Sequence, residues 1–68
     1  MFKKMINEMR LRKIFKEQMN ENRNGFVENG MNENWFFHKM FLTYNEDCFT
    51  ITDKNYLRKL IEKERKSA

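Results

Sequence analysis

Apolar and polar positions divide the chain into three stretches. From residue 2 to about 21 the apolar residues recur at helical spacing. Phe2, Met5, Ile6 and Met9 share one face, and Leu11, Ile14, Phe15 and Met19 share another. The stretch lacks Gly and Pro and is rich in good helix formers, so it predicts a helix over 2–21. At about 100° per residue the second face lies roughly opposite the first. Either the helix breaks near Arg10 or its halves bury against different things, in which case one half needs a partner. Asn22-Arg23-Asn24-Gly25 reads as the helix stop, because Asn and Gly tolerate the left-handed backbone of a C-terminal cap.

The middle stretch reads as extended. Phe26-Val27-Glu28 is a short strand, 26–28, followed by the turn signal Asn29-Gly30 and a polar loop over 31–34. Trp35 to Tyr44 and Cys48 to Thr52 are apolar runs around the polar break Asn45-Glu46-Asp47. Six of the ten aromatic residues lie here, Trp35, Phe36, Phe37, Phe41, Tyr44 and Phe49. Aromatic and β-branched residues flanking a short turn cluster predict a hairpin, 35–44 with 48–52. Leu42 would then face Ile51, and Tyr44 would face Phe49. Thr52 or Asp53 caps a last helix over 53–65, with Tyr56, Leu57, Leu60 and Ile61 as its stripe. The expected fold is one α+β domain spanning 1–68, in the order αβββα or αββα. Its expected core is Met40, Leu42, Tyr44, Phe49, Ile51, Leu57, Leu60 and Ile61 with one half of the first helix.

Length changes this picture by making the margin thin. Sixty-eight residues form one small core, worth rarely more than ~3–5 kcal/mol without a staple. Cys48 is the only cysteine and cannot pair within the chain. Dimerisation is therefore one way to gain buried area. The net charge of +4 is unevenly placed. Residues 1–23 carry seven Lys/Arg against three Glu, residues 24–53 carry Lys39 against five acids, and residues 54–68 carry six Lys/Arg against two Glu. Basic ends attract phosphate. No stretch reads as a signal peptide or membrane span, and a lone thiol suits a reducing cytoplasm. The many Asn, Lys, Phe and Met residues resemble the products of AT-rich coding sequences, as in phages and mobile elements.

Most catalytic chemistry has no carrier. Gly25 and Gly30 are the only glycines, so no phosphate-cradling loop can form. One Cys and one His fall short of a zinc ligand set, and neither a metal nor a cofactor is expected. Cys48 and His38 fall on opposite faces of the expected hairpin. His38 remains as a candidate general base for RNA cleavage, since imidazole titrates near neutral pH. Trp35, Phe37 and Phe41, on one strand face, could stack on bases, but their surround is acidic apart from Lys39, and burial under the first helix or in a dimer suits them better.

The order helix, short strand, hairpin, helix, with a basic first helix and one histidine in the hairpin, resembles the double-stranded-RNA-binding-like fold of the small HicA-type ribonuclease toxins. The resemblance covers most of the chain as an order of elements and implies a ribonuclease with His38 as its catalytic residue. In that family the histidine follows a small Gly-Ser-type segment, whereas His38 follows Trp35-Phe36-Phe37.

From the residues themselves the expected function is non-catalytic. A small cytoplasmic protein would engage nucleic acid, or a nucleic-acid-handling protein, through a basic helical face made of Arg12, Lys13, Lys16 and Arg23. One alternative is a protein inhibitor or homodimer using an apolar interface of Phe2, Met5, Met9, Trp35 and Phe37. The other is the ribonuclease using His38. Neither a membrane nor a small-molecule substrate is expected as a partner.

Overall fold

The computed structural model describes residues 2–67. It contains α1 (Phe2–Glu28), α2 (Glu33–Thr43) and α3 (Ile51–Ser67), with a single 3₁₀ turn at Glu46–Cys48 between the last two. No strand occurs among the described residues. The α+β expectation, in both its αβββα and αββα forms, is therefore incorrect. The protein is a three-helix bundle.

The helix α1 passes through the expected stop at Asn22–Gly25 because its buried face continues. Leu11, Ile14, Phe15, Gln18, Met19 and Phe26 are all buried, and Phe26 lies seven residues beyond Met19 on nearly the same face. The expected strand 26–28 is thus the last turn of this helix. Asn29-Gly30 does not turn a hairpin but caps α1. Gly30 has φ +69° and Met31 φ 56°. The Met31 N–H donates to the Phe26 carbonyl at 2.8 Å and the Gly30 N–H to the Val27 carbonyl at 3.1 Å. That pair of bonds is a Schellman cap, which satisfies carbonyls the helix leaves open.

Residues 35–44 form a helix because their burial follows a helical period. Phe36, Phe37 and Met40 are buried, with Phe41 and Tyr44 packed beside them. A strand would send Phe36 and Phe37 to opposite faces, whereas a helix keeps them together. Asn32, in the stretch read as loop, caps α2: its side chain accepts the Trp35 N–H at 3.0 Å. The second arm of the expected hairpin, 48–52, is also absent. Asn45 starts the 3₁₀ turn by accepting from the Asp47 N–H, and α3, which begins at Ile51, is capped by Thr50 rather than by Thr52 or Asp53. There the Asp53 N–H donates to Thr50 Oγ1 and the Thr50 N–H donates to Asp53 Oδ2, both at 3.0 Å. This reciprocal capping box closes two open donors. Leu42 and Ile51, expected to face each other in the core, are 69% and 77% exposed.

The helix directions follow from their contacts. α1 and α3 run parallel, since Asn7, Arg12 and Arg23 meet Asp53, Tyr56 and Glu64 in the same order. α2 runs against α1, with Phe36 between Phe15 (ring centroids 5.3 Å apart) and Phe26 (5.9 Å). It also runs against α3, through Glu33–Arg58 near its start and Lys54 over Phe41 near its end. Phe26, Phe36, Leu11, Met19, Met40, Leu57 and Ile61 are almost wholly buried. Each contributes roughly 1.5–3 kcal/mol through its apolar area. Of the expected core, Met40, Phe49, Leu57 and Ile61 are buried, and Tyr44 and Leu60 are half-buried.

Candidate nucleic-acid interface

Burying the second half of α1 fixes what its outer side presents. Relative to Met9, helical geometry places Phe2, Met5 and Ile6 within about 60°, and Arg12, Lys13 and Lys16 within the same arc. The outer face therefore starts apolar and becomes cationic one turn later. Residues 2 to 6 are all exposed. Phe2 is 78% exposed, Met5 61% and Met9 56%. The helix does not break at Arg10. The outer face of its first half simply lacks a neighbour among the described residues.

Five of the eleven cations elsewhere have a carboxylate among the described residues. Arg10 lies 3.6 Å from Asp53, and Lys54, Arg58 and Arg65 pair with Glu46, Glu33 and Glu62. Arg23 is drawn to Glu64, so it serves as an α1–α3 link as well as a surface charge. Arg12, Lys13 and Lys16 are exposed and have no ion pair among the described residues. Arg12 donates to the Tyr56 hydroxyl at 3.0 Å, which steadies its guanidinium at the edge of the α1–α3 groove. Thus the structure brings three of the four candidate phosphate-binding residues together and ties the fourth to an acid.

The proposed apolar interface separates into two places. Phe2, Met5 and Met9 are together on the α1 tip. Phe37 is buried, stacked on Phe41 at 5.7 Å beneath the Arg58 guanidinium. Trp35 covers Gly25 near the far end of α1 and carries Lys39 5.4 Å above its ring. His38 is exposed on α2 and makes no side-chain hydrogen bond to a described residue. Cys48 is exposed in the 3₁₀ turn. No group of three metal-ligating side chains occurs among the described residues.

Sequence reasoning missed the Asp53 cluster. Asp53 is buried, accepts from Asn7 Nδ2 at 2.7 Å, and faces Arg10. Burial alone would raise its pKa. The Thr50 backbone N–H, the Asn7 amide and the Arg10 charge outweigh burial and hold it below the usual carboxylate value. Arg10 also covers the Phe49 ring at 5.5 Å. The cluster orients the first turns of α1 and needs no ligand to be satisfied. Its signal was the Thr50-x-x-Asp53 pattern.

A cavity at the other end is lined by Arg23, Phe26, Val27, Met31, Glu64 and Ser67, with about 70 Å³ of space. That holds water but no substrate of drug size. No helix is long and apolar enough to cross a membrane. Comparison with known proteins finds no matching family model, no matching characterised protein and no matching solved structure.

Proposed function

We propose that the protein is a non-catalytic binding module that holds nucleic acid by its phosphate backbone through Arg12, Lys13 and Lys16. The observation that carries this reading is their shared exposure on one arc of α1 without a carboxylate partner among the described residues, while Arg10, Arg23, Lys54, Arg58 and Arg65 are each paired; Lys59, Lys63 and Lys66 form a second exposed row of this kind on α3. Three cations within about one and a half turns suit neighbouring phosphates rather than base edges.

Replacing Arg12 and Lys16 with Glu tests this. Fluorescence anisotropy with labelled duplex DNA and RNA should show weaker binding on every sequence alike. The log–log salt slope should fall by about one for each lost phosphate contact. Absence of wild-type binding at low salt overturns the reading. A nucleic-acid-handling protein or a second copy is the other reading, and the exposure of Phe2, Met5 and Met9 favours it. Ribonuclease action through His38 has less support, because the imidazole makes no side-chain hydrogen bond or ion pair with a described residue.

A further inference from the structure

The phosphate reading uses Lys13 and Lys16 but leaves the apolar tip of α1 without a role. Phe2, Met5, Ile6 and Met9 expose roughly 500 Å², taking a large apolar side chain as about 200 Å². That matches the largest patches found on monomers, which are often functional. The tip extends about 10 Å along the helix axis, and Lys13 and Lys16 follow in line over the next ~10 Å. Lys3 and Lys4 flank it. Among residues 2–16 the only acid is Glu8, about 100° from the Met9 direction.

We propose that the α1 tip seats on an anionic lipid surface, with Phe2, Met5, Ile6 and Met9 in the headgroup–acyl boundary and Lys13 and Lys16 on lipid phosphates. An apolar stripe among cations is the pattern of helices that rest at a bilayer interface. Lys stems can lie along the apolar boundary while their ammonium groups reach headgroups. A spanning segment is not required, so the absence of one does not argue against this partner.

Charge complementarity disfavours a second copy. Two tips related by a two-fold axis would bring the flank carrying Lys3 and Arg10 against itself. Parallel tips would set Lys13 and Lys16 against their copies. An anionic bilayer has neither difficulty.

The test is co-sedimentation of the full chain with vesicles of phosphatidylcholine alone and of phosphatidylcholine mixed with phosphatidylserine. Wild type should bind the mixed vesicles and not the neutral ones. Phe2→Asp with Met5→Asp should reduce binding to mixed vesicles at least about tenfold. Lys13→Gln with Lys16→Gln should reduce it about thirtyfold, as expected for the loss of two lysines at an anionic surface. All four positions are exposed, so circular dichroism should stay at wild type. Phe2→Ser with Met5→Ser, which adds no charge, should also lose vesicle binding but retain nucleic-acid affinity, which separates failure here from failure of the phosphate reading. The proposal is overturned if wild type ignores mixed vesicles. It is overturned too if the aspartate variant binds them as wild type does, which would mean charge adsorption only. A dimer abolished by Phe2→Asp, without vesicle binding, assigns the tip to a second copy instead.

Discussion

Gly25→Ala sets helix propensity against packing at one atom. Gly25 is inside α1, where Ala is favoured by roughly 1 kcal/mol. A Cβ there would sit 2.5 Å from Trp35 Cη2 and 2.7 Å from Cζ2, well inside contact distance. The indole must therefore tilt away from α1 and from Lys39, whose ammonium lies 5.4 Å above it. Overpacking costs ~1–3 kcal/mol, and the displaced cation–π contact adds ~0.5–1 kcal/mol. The expected net loss is about 0.5–3 kcal/mol, or a fall in Tm of at least about 2 °C for a domain this small. In a Trp35→Ala background the obstacle is gone, and the same Gly25→Ala change should stabilise by about 1 kcal/mol. Urea melts of the four proteins of this cycle give the coupling. Emission provides a second readout, since Trp35 is the only tryptophan and should shift to the red in Gly25→Ala. A Gly25→Ala protein that is more stable than wild type, with unchanged emission, would refute the close Trp35–Gly25 contact.

Three further outcomes follow from the packing. Asp53 has a folded pKa below its unfolded value near 3.8, so its contribution is present above that range and lost as pH falls through the folded pKa; Asp53→Asn should flatten that acid limb in urea melts, and parallel losses in both proteins would contradict it. Leu57→Ala should cost ~2–5 kcal/mol and Leu60→Ala clearly less, because Leu57 is fully buried and Leu60 is half-buried; equal thermal melts would contradict the packing of α3. Gly30→Ala should cost roughly 1–2 kcal/mol by placing a Cβ at φ +69°, and an unchanged melt would argue against the Schellman cap.

The two outer helices were legible because their signals agree. The second half of α1 and the stripe of α3 have helix formers, apolar spacing and no breaker, and both lie in the core. Residues 22–52 were misread because local preference and tertiary burial conflict there. Trp, Phe, Tyr and Thr between polar clusters are enriched in strands, but that preference reports fit to a half-buried surface. Phe36, Phe37, Met40, Phe41 and Tyr44 recur at helical spacing, and this period decided the outcome. Asn-Gly can turn a hairpin or cap a helix, and Phe26 on the buried face of α1 selects the cap. Nothing local shows that Gly25 is kept small for Trp35, which is ten residues away. For the candidate interface, the Arg12, Lys13 and Lys16 cluster was readable from helical spacing alone. The Arg23–Glu64 link and the burial of Phe37 needed the packing of α3 and α2, which no spacing rule supplies.

The most direct measurement is a titration of isotope-labelled protein with a short DNA duplex, followed residue by residue by NMR at low salt. Engagement through the outer face of α1 predicts shifts concentrated from Arg12 to Lys16 and at Tyr56, whose hydroxyl Arg12 contacts, and reversed by salt. Unchanged spectra, or shifts centred on α2 around His38, would contradict it.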